Sequence, residues 1–408
     1  MKILIKNFPN LNNYGTGMMG LVAIQMLIER FGRDNIEIYC TFNKYANNDE
    51  IKKEFLEPIQ LNNYVNKNEE KISKIKNPFT RKFCTIWNLF FGKNENKFDI
   101  IVVLGGDDFS EYYSKYIASI EIFRLWKYSK HSKVVMLGQT IGPFTNYINR
   151  LAFKWFLPKM NVYARDPWTV EYCQKNFDIT IKLMADLAFN QLPLQGDSDI
   201  ESNILNAYGL VKNNYFTVVI SGLFAEGYYC QDEQLYLLRY REIISKVLNQ
   251  EKIQNKKVVL LAHTFPPYGN ESELILRLYE MFTSDEKEKI VLVIDKIYPT
   301  KARFILGNGI YTITGRMHPA VSTFQMGKPA ISLSYSPKYK GVLGQSLNRY
   351  DLIIDANESS KWITGEIVSL VVDKVIYLLD IYEQLTLEIK LKVKELVKLN
   401  DNVLNDAF

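Results

Sequence analysis

The strongest constraint on the fold is an alternation of short apolar runs with segments of helical periodicity, made once and then made again. Lys2–Lys6, residues 36–40, 99–104 and 133–137, Asn161–Ala164 and residues 181–184 are too short for helices and are rich in Ile, Val and Leu, which marks buried strands. A helical stretch over residues 18–31 follows the first run, and further helical segments separate several of the others. Short apolar strands alternating with helices predict a parallel, doubly wound α/β sheet.

The pattern restarts after a polar run beginning at Gln195, with strands expected at 215–221, 257–262, 290–294, 309–313 and 330–334. A chain of 408 residues accommodates two such cores. The expected domains are residues 1–195 and 196–408, with 195–202 as linker. Residues 365–399 place Leu378, Leu385, Ile389, Val393 and Leu396 at helical spacings, so the second domain should end in a long helical segment.

Composition bounds the function classes. Fifty basic residues against 45 acidic give a net charge of +5, too small for this length to imply a nucleic-acid partner. The four cysteines, Cys40, Cys84, Cys173 and Cys230, lie far apart without the paired spacing of a zinc or redox motif. The start reads as no signal peptide, and no run reaches the ~18 apolar residues of a membrane span. The cytoplasm is therefore the expected location.

The chemistry-bearing residues cluster just after strands, where ligands of open α/β sheets bind. Gly15-Thr16-Gly17-Met18-Met19-Gly20 matches a dinucleotide fingerprint, but residues 6–14 separate it from the first strand, and the second strand ends in Tyr39 and Cys40 without an acid for a ribose. The glycines are expected instead to shape a ligand-facing loop, with Gly15 near helix amides that can meet an anion. Gly105-Gly106-Asp107-Asp108 follows the third strand; Asp107 is the better candidate base and Asp108 the second, although one acid at such a position commonly caps a helix. Gly138-Gln139-Thr140 is either a ligand-approaching loop or a turn before Pro143. Arg165, in Ala164-Arg165-Asp166-Pro167, is either paired with an acid or aimed at a ligand, and Asp166 reads as a helix cap.

Gly315-Arg316-Met317-His318-Pro319 is the sharpest motif. It joins a guanidinium fork, a helix start and an imidazole able to carry a proton near neutral pH, and all three suit an anionic substrate. Tyr335-Ser336-Pro337-Lys338 follows the next strand; Lys338 is the better ligand candidate there, and Lys340 reads as solvated.

Taken together, the glycine-rich loop, GGDD, GQTIGPF, ARDPW, MADLAF and GRMHPAVSTFQMGKPAISLSYSPKYKG resemble the polysaccharide pyruvyltransferase family over roughly residues 1–355. The resemblance implies a glycosyltransferase-B-like fold, two Rossmann-like domains facing across a cleft. It implies that the pyruvyl unit of phosphoenolpyruvate is moved onto a saccharide of a bacterial capsule or exopolysaccharide, or onto its lipid-linked precursor, as a cyclic ketal. Phosphoenolpyruvate is then a donor substrate, and no cofactor or metal is required. Arg316 and Lys338, with Arg165, are expected to bind the donor, His318 to act as general acid, and Asp107 or Asp108 as base on the acceptor side. The chain departs from the family pattern at Asp107, where many members have a third glycine, and its N-terminal loop lacks the usual Gly-Asp step; both departures bear on acceptor identity.

Two rival readings remain. A nucleotide-sugar glycosyltransferase of the same fold would use Asp351 or Glu226 on a ribose, and a silent saccharide-binding protein would need none of the Arg316, His318 and Lys338 set. Residues 71–93 interleave lysines and arginines with aromatic side chains. That mixture suits a peripheral membrane contact, while Pro78 and the apolar pairs suit packing on the core or in a homo-oligomer.

Overall fold

The computed structural model describes residues 1–8, 10–41, 45–92, 98–111 and 116–408. It divides into two compact units: Met1–Asn10, Met19–Asp186 and Asn402–Phe408 form the first, and Leu11–Met18 with Leu187–Asp401 form the second.

The first unit is built on β1 (Lys2–Lys6), β2 (Glu37–Thr41), β3 (Leu61–Tyr64), β4 (Ile100–Leu104), β5 (Lys133–Gln139), β6 (Asn161–Ala164) and β7 (Lys182–Leu183). These pair in the order β3-β2-β1-β4-β5-β6-β7, with every pairing parallel. Central β4, IIVVL, is buried at every position because helices cover both faces. Edge strand β3, LNNY, buries only Leu61, which is why apolar patterning did not predict it.

The second unit repeats the plan with β8 (Tyr215–Val219), β9 (Lys257–Leu261), β10 (Ile290–Val293), β11 (Thr312–Thr314), β12 (Ala330–Ser334) and β13 (Ile353–Asp355). Their order is β10-β9-β8-β11-β12-β13, again all parallel. Strand order reverses between β1 and β4 in one sheet and between β8 and β11 in the other. Loops leaving those paired strand ends diverge to opposite faces, opening the crevice in which doubly wound sheets bind ligands.

Three expectations are corrected. The polar run from Gln195 is not a linker: Asp197 caps helix Ser198–Ala207 by accepting from the Asp199 and Ile200 amides, and Gln195 accepts from Arg303 at 3.1 Å. The division falls after Asp186 instead. Gly15, Gly17 and Gly20 are not in a loop but inside helix Tyr14–Phe31, where their lack of side chains allows close packing. The C-terminal segment is helical as expected, as Glu366–Asp380 and Tyr382–Ala407, but its last residues belong to the first unit and not to the second. There Asp406 accepts from the Tyr163 hydroxyl at 2.7 Å and from Lys182 at 2.6 Å.

Within residues 71–93, helix Pro78–Phe91 starts from Asn77, whose side chain accepts from the Phe79 and Thr80 amides. Lys93, at the end of that segment, lies outside the described residues, as do the side chains of Ser73, Lys82, Ile86, Leu89, Phe90 and Phe91.

Candidate active site

In the first unit the loop after β4 carries Asp107 and Asp108 at the reversal point of the sheet. Gly105 must be glycine, since a Cβ there would lie 1.8 Å from the Gly138 carbonyl oxygen. The Gly106 carbonyl accepts from the Thr140 amide at 2.9 Å, locking this loop to the one after β5. Asp108 is exposed and its carboxylate lies 3.4 Å from the Asn7 amide nitrogen at the end of β1. Asp107 is half-buried and within electrostatic reach of Arg165.

Gln139 and Arg165 serve the scaffold. Gln139 is buried and its Nε2 donates to the Val103 carbonyl at 2.9 Å, bracing a register shift in the β5–β6 pairing. Arg165 is only 1% exposed, with Nη1 2.9 Å from the Asp186 carboxylate and Nε 2.9 Å from the Thr140 hydroxyl. Burial opposes its charge, but Asp186, Asp107 and Asp166 outweigh that and hold it protonated. Of the two readings of Arg165, the structure selects pairing with an acid, and a guanidinium so enclosed is unavailable to a substrate. Asp166 caps helix Pro167–Phe177 through the Thr169 amide at 2.8 Å.

The second unit gathers the remaining candidates at its own reversal point. β11 runs into Gly315, then Arg316 as the N-cap residue of helix Met317–Gln325. The Thr314 hydroxyl bonds both the amide and the carbonyl of Arg316 at 2.9 Å, which fixes the backbone at this entry. Arg316 Nε donates to Glu271 Oε1 at 2.5 Å. Glu271 is fully buried, and its other oxygen accepts from the His263 and Thr264 amides at 2.9 and 3.0 Å. One carboxylate therefore ties the end of β9 to the arginine after β11. Burial disfavours the guanidinium charge, yet Glu271 together with Tyr335 and Tyr229 outweighs this and raises its affinity for the proton. Arg316 Nη2 is buried and has no partner among the described residues.

His318 lies beside Gly15: a Cβ on Gly15 would fall 2.2 Å from His318 Nδ1. His263 is 1% exposed, and burial followed by the charges of His318 and Arg316 depresses its proton affinity far below the ordinary range, so it stays neutral. Its ring meets Tyr14 edge-on at 5.2 Å. The Gly315 carbonyl accepts from the hydroxyls of Tyr229 and, at 2.9 Å, Tyr339. Burial raises the pKa of both phenols, keeping them as donors. Lys338 donates to the Tyr335 hydroxyl at 2.7 Å and sits 4.8 Å above that ring, and Tyr335 in turn acts electrostatically on Arg316. Lys340 pairs weakly with Asp355 at 3.8 Å on the surface.

The structure thus brings Arg316, His318, Lys338 and Gly15 into one neighbourhood of the second unit and places Asp107, Asp108, Gln139 and Arg165 in the first. Sequence reasoning passed over His263 and Glu271. The signal was present for both, since His263 follows the end of β9 as Arg316 follows β11, and Glu271 opens the next helix. Among the described residues, no group of three or more His, Cys, Asp or Glu side chains is placed to hold a metal ion. Burial pushes the Cys40 and Cys173 thiols up to about 12, which leaves them unreactive.

This architecture is shared with solved enzymes. The UDP-GlcNAc 2-epimerase from Neisseria meningitidis, bound to UDP-GlcNAc, superposes with a TM-score of 0.56 at 12% identity, covering 98% of this chain and 100% of that one. The UDP-GlcNAc 2-epimerase from Methanocaldococcus jannaschii gives 0.52 at 13% identity, covering 89% and 90%. At such identities the likeness establishes the fold, a glycosyltransferase-B architecture, and nothing of the reaction. No curated protein sequence matches the chain. The family model for polysaccharide pyruvyl transferases matches residues 13–337, from the segment that carries Gly15 through the Arg316 and His318 helix entry to Pro337, and the chain accordingly belongs to the polysaccharide pyruvyl transferase family.

Proposed function

We propose that this enzyme takes the pyruvyl unit from phosphoenolpyruvate and builds it onto a saccharide of a bacterial polysaccharide, or its lipid-linked precursor, as a cyclic ketal. The observation that carries the reading is the divided use of Arg316. Its Nε is committed to Glu271, which orients the fork, while its buried Nη2 keeps an unspent donor two residues before His318 in the chain. A donor substrate with a carboxylate and a phosphate matches such a fork, with Lys338 as a further cation.

In this reading His318 delivers a proton to the methylene carbon of phosphoenolpyruvate, leaving an oxocarbenium-like carbon bearing the carboxylate and phosphate. A sugar hydroxyl adds to that carbon and gives its proton to a base. The carbon–oxygen bond to phosphate then breaks, phosphate leaving with the electron pair and taking up the proton held by the base, and a second hydroxyl adds to the oxocarbenium carbon and closes the ketal, its proton restoring His318. The first unit is assigned to the acceptor, with Asp107 as the candidate base and Asp108 as the alternative. A nucleotide-sugar reaction through Asp351 finds less support, because that carboxylate already faces Arg349 at 3.7 Å and the Tyr377 hydroxyl at 3.3 Å; the other candidate, the Glu226 side chain, lies outside the described residues and enters no argument.

Purified protein is expected to release phosphate from phosphoenolpyruvate only when a suitable saccharide is present, with pyruvyl mass added to the saccharide. Arg316→Ala should weaken donor binding by about tenfold or more, the loss of a charge-assisted bond. Transfer from a nucleotide sugar without any use of phosphoenolpyruvate would falsify the proposal.

Gly15→Ala gives a finer test of His318. Alanine suits a helix better than glycine by ~1 kcal/mol, yet the added methyl must displace the imidazole. Turnover should fall by roughly 10²-fold, the effect of a ~1 Å misplacement, while the melting temperature holds. Unchanged turnover would remove His318 from the reaction.

A further inference from the structure

We propose that one face of the first unit, made by helices Pro78–Phe91 and Tyr147–Phe156, docks on an anionic lipid bilayer. This inference stands independently of the reaction assigned above. The helices lie on the β3-to-β4 and β5-to-β6 connections, both running the same way across the sheet, so right-handed crossovers place them on the same side of it. Between them, helix Ile117–Ser129 packs on Tyr147–Phe156, and its Lys127 donates to the Gly92 carbonyl, just past the end of Pro78–Phe91, at 3.1 Å.

Large apolar side chains stand out from this layer. On the first helix Phe79, Phe83 and Trp87, four residues apart and hence on one stripe, are 85%, 65% and 57% exposed. On the second, Tyr147, Ile148 and Trp155 are 69%, 55% and 69% exposed, while Asn149 and Phe153 point into the core. Soluble surfaces seldom present so many aromatic groups together unless something covers them. Beside the stripe a mainly apolar hollow of about 530 Å³, walled in part by Ile72, Phe83 and Trp87, offers room for hydrocarbon.

Charge decides between a bilayer and a second copy of the chain. Residues 71–93 contain six lysines and arginines and no acid, and helix Tyr147–Phe156 contains Arg150 and Lys154 and no acid. Lys71, Lys76, Arg81 and Lys154 are exposed. Glu70, just before that run, takes up Lys74 at 2.7 Å; in a two-fold dimer the same patch meets itself, which sets the remaining cations against one another. A membrane with acidic headgroups instead supplies the opposite charge beside an apolar interior, the environment that interfacial aromatic residues with flanking lysines occupy. Among the described residues no helix is long and apolar enough to cross a membrane, so the contact lies in the plane of the interface.

The test is flotation of the full-length protein with phosphatidylcholine vesicles, with and without about one third phosphatidylglycerol. Protein should float with the anionic vesicles and be released by high salt. Phe83→Ser with Trp87→Ser, and separately Trp155→Ser, should each lower partitioning about tenfold with circular dichroism and melting temperature unchanged. In the wild type, brominated phosphatidylglycerol should quench tryptophan fluorescence, a readout that needs no variant. Failure to float, or equal flotation with both vesicle types, overturns the proposal. So does concentration-dependent dimerisation that the same substitutions abolish.

Discussion

His318→Ala is expected to lower pyruvyl transfer by about 10²–10⁴-fold, the range for loss of a positioned proton donor, with the melting temperature within a degree or so of the wild type. The fold should tolerate the change because the residue sits at the start of a helix, partly exposed, with helix Met317–Gln325 anchored instead by buried Met317, Ala320, Val321 and Phe324. Phosphate release from phosphoenolpyruvate, followed continuously with saturating saccharide, is the measurement. If His318 gives a proton only in the transition state, turnover should fall with little change in the apparent affinity for donor. A large rise in KM with unchanged turnover would reassign it to donor binding, and full activity would exclude it.

Asp186→Ala should be the most damaging single substitution for stability. It strips the counter-charge from Arg165, at a site where the two side chains are 1% and 0% exposed and 2.9 Å apart. Removing one member of a buried pair costs about 3–5 kcal/mol, chiefly because the other charge is stranded. For a domain of this size that corresponds to a fall of roughly 10 °C in melting temperature. Asp186→Asn keeps an acceptor and should cost less. Arg165→Met combined with Asp186→Ala should recover part of the loss, because no lone charge is left behind. A loss below about 1 kcal/mol for Asp186→Ala would show that Asp107 and Asp166 suffice to neutralise Arg165.

The two predictions also separate what kinds of residue were readable. Arg316 and His318 announced themselves because an arginine and a histidine together at a strand-to-helix junction call for a ligand or a partner. Arg165 occupied a similar junction after β6, and no local pattern distinguished it from Arg316. The difference is made by Asp186, 21 residues away, which pairs with Arg165 in the interior at 2.9 Å. Glu271 does something else for Arg316, 45 residues away, binding one edge of the guanidinium and leaving Nη2 unspent.

By itself the sequence determined the architecture and the neighbourhood of the chemistry. Apolar runs of strand length alternating with helices admit few solutions other than parallel sheets covered on both faces, and ligand loops of such sheets leave the carboxyl ends of the strands. Strands β3 and β13 escaped because each is three or four residues long and buries a single side chain, too little to impose a pattern. Only tertiary structure decided how each side chain is used. It turned the glycines at 15, 17 and 20 from an expected loop into a helix whose first turn makes room for the His318 ring, made a helix cap of the polar run near Asp197, and recruited His263 and Glu271 to the site. Periodicity is a local consequence of burial, whereas the partner of a buried charge comes from a distant part of the chain and is set only when the strands are in register.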